Sequence, residues 1–299
     1  MKICAVMVTH NPDLNLRENI RALLPHVSRL IVVDNCSDPT GRSLVQSIAS
    51  ASDFHVIWNE KNLGIASALN AGIRVALAEG AAEGAYDWIA TFDDDSMVWP
   101  NFSESMIQAL QACPFREKVA LIGPHHLLFP EIPEERKLRG RLTPPFEERT
   151  VMLQSGSLIR SHVFRVAGMP DDSFFIDYVD FEYCLRLRKH GFRIIEARNA
   201  VLAHEIGKPT SHKVIYKSCV VYNHSPIRRY YAVRNRLRLY VRYLFREPGW
   251  ILHDAWSWLK ELIKLMMFES DKAGKLRCMA RGVWDAMRCR SGPMEGTQK

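Results

Sequence analysis

Between residues 3 and 98, short apolar runs rich in β-branched residues alternate with segments whose apolar positions recur every three to four residues. Ile3–Val8, Leu30–Asp34, His55–Trp58 and Asp87–Asp93 read as strands, and Asn15–Leu24, Thr40–Ala51 and Ile65–Ala78 as helices. The second helix follows Asp38-Pro39, a pair that favours helix initiation. Runs this apolar belong to strands covered on both faces, and their alternation with helices predicts an α/β fold built on a mostly parallel sheet. In such sheets ligands sit beyond the carboxyl ends of the strands. The loops that start there, Thr9-His10-Asn11-Pro12, Asp34-Asn35-Cys36-Ser37-Asp38, Asn59-Glu60-Lys61-Asn62 and Asp93-Asp94-Asp95-Ser96, are all polar and rich in oxygen.

Past residue 99 the pattern is less regular. Val151–Ile159 reads as a strand, Asp180–His190 as an amphipathic helix, and Arg193–Ala203 as a strand that leads to His204. Pro130–Glu148, rich in Pro, Arg and Glu, predicts no regular element. Charge then shifts: residues 1–224 hold 24 Lys and Arg against 26 Asp and Glu, whereas residues 225–291 hold 15 against 6. Arg228 to Tyr240 interleaves arginine with tyrosine, and Trp250–Phe268 mixes aromatic and aliphatic residues with Lys260 and Lys264. Such stretches suit helices lying on anionic lipid, and they suit equally a lid on the body or a dimer face. The expected organisation is a body over 1–225 divided near residue 98, a basic helical extension over 226–290 and a disordered tail over 291–299.

Composition narrows the class. With 299 residues, 47% hydrophobic and 24% charged, the chain can close a core without staples and matches neither disordered nor fibrous proteins. Its seven cysteines are scattered and form no CxxC or CxxH pair, which argues against zinc ribbons and a disulfide framework and fits a reducing cytoplasm. No run of eighteen apolar residues and no signal-peptide pattern is present, so neither export nor a spanning helix is expected.

Three consecutive carboxylates, Asp93-Asp94-Asp95, follow the strand ending in Thr91-Phe92. Their mutual repulsion calls for a cation or for full solvation; a hard divalent ion bridging them to a diphosphate answers the first, a solvated acidic turn the second. The segment Asn62 to Gly72 opens a helix with small residues, compatible with a phosphate at exposed amide groups or with close helix-on-sheet packing. Asp34 could accept from the imide of a pyrimidine base, with Thr9 and Asn11 beside it, or act as a turn residue. Asp177, Asp180 and Glu182 surround a helix start next to Phe174-Phe175, where a carboxylate can serve as general base. His204 could complete a carboxylate metal site or be structural. No P-loop, GxGxxG or interpretable Ser/His/Asp arrangement occurs.

Taken in order, VTHNP, VVDNCSD, NLGIASALNAGI, FDDDS, LQSGSLI, FFIDYVDFEYCLRLRKHGFRI and SPIRRYYAVRNRLRL resemble glycosyltransferase family 2, in its bacterial rhamnosyltransferase branch, over about residues 3–240. The resemblance implies a GT-A fold, with a nucleotide-sugar half over 1–98 and an acceptor half over 99–225. It makes Asp93 and Asp95 the DXD pair that holds Mn2+ or Mg2+, joined by His204. Thr9, Asn11, Asp34, Asn35, Asn62, Gly64, Asn70, Asp93 and Asp94 would then face the nucleotide sugar. Gly156, Ser157, Asp177, Tyr178 and Glu182 would line the acceptor or sugar pocket, and Asp180 would be the base; Val179-Asp180 stands where the family more often has Glu-Asp.

The activity so implied is inverting transfer, with L-rhamnose from dTDP-rhamnose as donor group and a glycan, lipid-linked at the cytoplasmic face of the inner membrane, as acceptor in surface-polysaccharide (O-antigen) synthesis. Homo-oligomers are compatible with it, and another UDP- or dTDP-sugar is the alternative donor. A different class, nucleic-acid binding, is prompted by the net charge of +7 and the Arg/Tyr interleaving, but the acidic strand end argues against it. A nucleotidyltransferase would carry a glycine-rich basic loop after Ile3–Val8, and none is there.

Overall fold

The computed structural model describes residues 1–83, 86–127, 142–204, 210–214 and 217–296. Strand β1 (Ile3–Thr9) is buried at every residue. Ile3, Ala5 and Met7 join one hydrophobic cluster and Cys4, Val6 and Val8 another, because successive side chains of a strand point to opposite faces. Strands β2 (Arg29–Asp34) and β4 (Trp88–Asp93) flank β1 in parallel, and β3 (His55–Trp58) lies beyond β2. Between them run α1 (Leu16–Leu23), α2 (Pro39–Ala49) and α3 (Ile65–Glu83). The Asp38 carboxylate caps α2 by accepting from the Gly41 amide, with Pro39 in the first turn. Helix α3 lies so close to the sheet that a Cβ at Gly72 would overlap Val6. Its small residues serve that packing.

The second half departs from a parallel sheet. It contains β5 (Ser96–Val98), α4 (Phe102–Ala112), β6 (Val119–Leu127), β7 (Phe146–Arg149), β8 (Ser157–Arg160), α5 (Val163–Ala167), α6 (Val179–Lys189) and β9 (Arg193–His204). Strand β8 inserts antiparallel between β4 and β6, while β5 and β7 run antiparallel to β9. The result is a mixed sheet of order β3-β2-β1-β4-β8-β6-β9-β5. A hairpin of β10 (Thr210–Val214) and β11 (Lys217–Val221) follows.

Two expectations are corrected here. The strand predicted over Val151–Ile159 begins only at Ser157, because Gly156 takes a positive φ of 77° and residues 151–156 bend over the end of β4. Thr91 fastens that bend: its carbonyl accepts from the Gly156 amide at 2.7 Å and its hydroxyl donates to the Gln154 carbonyl at 2.8 Å. Within Pro130–Glu148, where no element was expected, Phe146 starts β7; its ring packs edge-on against Phe115, and Arg149 donates to Glu196 at 2.7 Å. Residues 128–141 lie outside the described residues.

The C-terminal region forms α7 (Pro226–Tyr243), α8 (Pro248–Phe268) and α9 (Lys272–Met287). The Ser225 hydroxyl caps α7. Helices α7 and α9 are in backbone contact, since a Cβ at Gly282 would lie 2.6 Å from the Tyr230 carbonyl oxygen. Leu239, Tyr243 and Ile251 share a cluster with Ala66 of α3 and Phe174, so the extension is packed on both halves of the body. Beyond α9 the Gly292 amide donates to the Ser173 carbonyl and the Met294 amide to the Tyr231 hydroxyl. Among the described residues no helix is long and apolar enough to cross a membrane.

Candidate active site

The ends of β1, β2 and β4 converge as the apolar runs predict, but many of their polar side chains hold one another. Asp34 is fully buried; its carboxylate accepts from the Thr9 hydroxyl at 3.2 Å and the Ser37 amide at 3.0 Å. Asn35 is buried too and accepts from the Leu63 amide and the Asn59 side chain while donating to Asn62. These residues shape the wall of a site and present little surface to a ligand. His10 and Asn11 are exposed. The His10 ring lies against the Asn35 carbonyl and the Asn62 amide, and Asn11 holds the Asp38 amide at 2.7 Å. His10 stands in a loop legible from the sequence, yet nothing there distinguishes it from its neighbours.

Two of the residues expected to meet the nucleotide sugar are placed otherwise. Asn70 is buried within α3 and donates to the Pro170 carbonyl at 2.9 Å. Gly64, at φ 81°, lies under Phe175: a Cβ there would fall 2.5 Å from the Phe175 carbonyl oxygen, and that oxygen accepts from the Ile65 amide at 2.8 Å. The first amide of α3 is therefore taken by protein backbone rather than offered to a phosphate. Gly64 is required by close approach of two chain segments.

At the end of β4, Asp93 is half-buried; its amide donates to Ser155, and its carboxylate accepts from Gln154 at 3.2 Å. Asp94 accepts from the His10 amide at 3.1 Å, while its carbonyl takes the Asn19 side chain at 2.8 Å. Burial above all, then the charges of Asp95 and Asp93, push the Asp94 carboxyl up to about 7. Asp95 is exposed. The register of β5 on β9 sets Ser96 opposite His204, which brings the backbone of that histidine one residue across from Asp95. Among the described residues no group of three or more His, Cys, Asp or Glu stands together as a metal cage. Two acidic strand-end residues with a diphosphate supplying the remaining oxygens is a donor set that Mg2+ or Mn2+ accepts, and Asp93 and Asp95 fit that chemistry.

Asp180 is the second residue of α6 and half-buried. Burial raises its carboxyl to about 7, with the charges of Asp177 and Asp93 adding to the rise and the Phe181 amide, 2.9 Å from its oxygen, opposing it. The segment before it is shaped by positive φ values at Phe175, Asp177 and Tyr178, a conformation that aspartate tolerates and that is unfavourable for the two aromatic residues. Helix α7 holds it there. The Asn235 side-chain amide donates to the carbonyls of Phe174, Ile176 and Asp177 at 2.7, 2.8 and 3.0 Å. Arg228 pairs with the Asp177 carboxylate at 3.2 Å, and the Tyr178 hydroxyl donates to Asp254 of α8 at 3.0 Å.

These contacts redefine several expected pocket residues. Glu182 is fully buried between Arg186, Arg242 and the Tyr243 hydroxyl, and Tyr178 is buried against Asp254, so both brace α6 instead of lining an open pocket. Ser157 donates to the Leu153 carbonyl, and Gly156 packs under Pro124. Asp177 remains beside Asp180, held by Arg228. That arginine, with Asn235, is the functional contribution that sequence reasoning missed. SPIRRYYAVRNRLRL announces a helix but not which way its charges face. Arg229 pairs with Glu269, Arg234 donates to the Gly292 carbonyl, Arg236 pairs with Asp254, Arg238 donates to Ser173 and Arg242 pairs with Asp171. The stripe that prompted a nucleic-acid reading is engaged within the protein.

A mixed sheet with an acidic strand end and a carboxylate at the start of a facing helix defines a GT-A glycosyltransferase. Residues 4–165 match Glycosyl transferase family 2, and the chain belongs to that family. It is 34% identical over 251 residues to the dTDP-rhamnosyl transferase RfbF of Shigella flexneri, covering 79% of each chain. It is 26% identical over 297 residues to the galactofuranosyltransferase GlfT1 of Mycolicibacterium smegmatis, covering 91% of this chain and 92% of that one. In fold it is similar to GalNAc-T7 crystallised with UDP, GalNAc and Mn2+, with a TM-score of 0.60 at 13% identity over 84% of this chain, which spans 49% of that structure's length. It is similar also to residues 1–349 of S. aureus TarS in complex with UDP-GlcNAc, with a TM-score of 0.55 at 12% identity, covering 96% and 81%.

Proposed function

We propose that the protein transfers L-rhamnose from dTDP-rhamnose to a hydroxyl of a glycan acceptor with inversion at the anomeric carbon. The observation that carries this reading is Asp180, half-buried at the start of α6 with its carboxyl raised to about 7 and within the electrostatic reach of Asp93. A base poised near neutrality can take a proton from the attacking hydroxyl. The likeness to a dTDP-rhamnosyl transferase supports the donor.

In this mechanism Asp180 accepts the acceptor's proton as the oxygen attacks, and the sugar passes in one displacement without a covalent intermediate. Asp177 and Arg228 fix the turn that aims Asp180. Asp93 and Asp95 would hold a divalent cation, which when bound neutralises charge on the departing nucleoside diphosphate. The wall formed by Thr9, Asp34, Asn35 and Asn62, with His10 and Asn11 exposed on it, would flank the nucleotide.

The acceptor in this reading is lipid-linked and the protein peripheral on the cytoplasmic face of the inner membrane, in surface-polysaccharide synthesis. What supports it is the stripe Leu252, Trp256, Leu259, Ile263, Met266 and Met267, exposed along α8, with Trp256 at 60% exposure. A screen of nucleotide sugars with Mn2+ or Mg2+ tests the donor. The expected outcome is that dTDP-rhamnose is consumed in a metal-dependent reaction releasing dTDP and no pyrophosphate; consumption of UDP-sugars alone would overturn the reading.

A further inference from the structure

Below Asp180 lies a partly open cavity of about 20 Å³, room for one water-sized group. Its walls are largely apolar, formed by Leu69, Leu121, Met152, Ile159 and Val179; Thr91, Gln154, Asp180 and Ser157, a residue expected in the sugar pocket, also line it. Gln154 and Asp180 fix its position. Gln154 is hydrogen-bonded to Asp93, on the side where the diphosphate is expected, and Asp180 marks the side of the attacking hydroxyl. The part of the substrates that must lie between them is the ring of the sugar in transit. Tyr183, 3% exposed, lines the same cavity, and its hydroxyl, itself buried, has no hydrogen-bond partner among the described residues.

We propose that this cavity is the specificity subsite of the enzyme and receives the methyl group at carbon 6 of a 6-deoxyhexose. The proposal rests on the assignment of the donor as a nucleotide-linked sugar held between Asp93 and Asp180. A methyl group matches the space and the lining. A hydroxymethyl group adds an oxygen, which would be set against aliphatic side chains. Met152 closes one side because position 123 is glycine; a Cβ there would overlap the Met152 side chain.

The test compares kcat/KM for two dTDP donors that differ only in the hydroxyl on carbon 6, dTDP-L-rhamnose and dTDP-L-mannose. Native protein is expected to favour the deoxy donor by about 10²-fold, the scale on which an apolar pocket rejects an added hydroxyl. Met152→Ala enlarges the cavity and is expected to reduce that ratio below about tenfold by raising the rate with the hydroxylated donor. Gly123→Ala drives Met152 inward and is expected to depress use of the deoxy donor by about tenfold or more, with dTDP binding in thermal shift retained. Equal use of both donors by the native protein, or a ratio that neither variant moves, would overturn the proposal, and so would loss of the preference in Tyr183→Phe. If neither dTDP donor is consumed while a UDP-sugar is, the assignment of rhamnose fails separately. The same comparison with UDP-glucose and UDP-6-deoxyglucose then decides the cavity.

Discussion

Asp180 and Asp94 share an elevated carboxyl for the same first reason, burial, yet their surroundings give them different consequences. For Asp180, the proposed base, the ionised form would be the active one, so turnover is expected to rise with pH through about 7. Asp177→Asn removes a neighbouring negative charge, and the acidic limb should then move to lower pH; a profile that stays in place would count against Asp180 as the titrating group. Asp180→Asn should lower kcat by roughly 10²–10⁴ while nucleotide binding persists. Asp94 bears on stability instead. Its folded-state carboxyl lies at about 7, above the ordinary range near 3.9 of an unfolded chain. Ionisation therefore disfavours the fold progressively as pH rises from about 4 to 7, and fully above that. Asp94→Asn should accordingly melt higher than the native protein at pH 8, by about 2–4 °C for each kcal/mol regained, and the difference should vanish below pH 4. Asp93 and Asp180 are legible because one ends and the other opens a recognisable run. The burial of Asp34, Asn70 and Glu182 is not, since the partners that occupy them, Thr9, Pro170 and Arg242, are 25, 100 and 60 residues away.

Among the elements, the first four strands and three helices follow from hydrophobic pattern alone, because both faces of the sheet are covered and the runs are uninterrupted. The limits of that reading appear at β8 and β7. A positive φ at Gly156 shortens one strand, and pairing with β9 creates another from Phe146-Glu147-Glu148-Arg149, a sequence with no strand signature of its own. Helix α7 is the larger case: its cap at Ser225 and Pro226 is written in the sequence, but its arginines look like a solvent face until Phe174, Asp177 and Glu182 are placed opposite them. Asn235 is the sharpest instance, one buried amide holding three carbonyls of the turn before Asp180. Asn235→Ala leaves those carbonyls without that donor and should destabilise the protein by about 1–3 kcal/mol. The accompanying loss should fall on kcat more than on affinity for the nucleotide, measured by paired denaturation and initial-rate experiments. A normal kcat in a folded variant would show that the turn does not need this support.

Across the whole molecule, the basic C-terminal quarter divides its properties between inside and outside. Its arginines of α7 engage partners within the protein, and its apolar residues along α8 remain on the surface over about 22 Å of helix. Attachment to lipid is best tested in the full chain, because a protein ending near residue 245 would lose Asp254 and α9 together with the stripe. Replacing Trp256 and Ile263 by Ser should abolish flotation with anionic liposomes while the melting temperature stays within a few degrees of the native protein. Flotation that persists would locate the contact elsewhere. Asp254, on the opposite side of the same helix, takes hydrogen bonds from Tyr178, Arg236 and Tyr240 at once. If α8 carries the protein to its acceptor, as proposed, a relative that replaced it would forfeit this shared anchor and would have to evolve another brace for Tyr178. Changes in where such an enzyme works and in how fast it works would then be tied to one carboxylate.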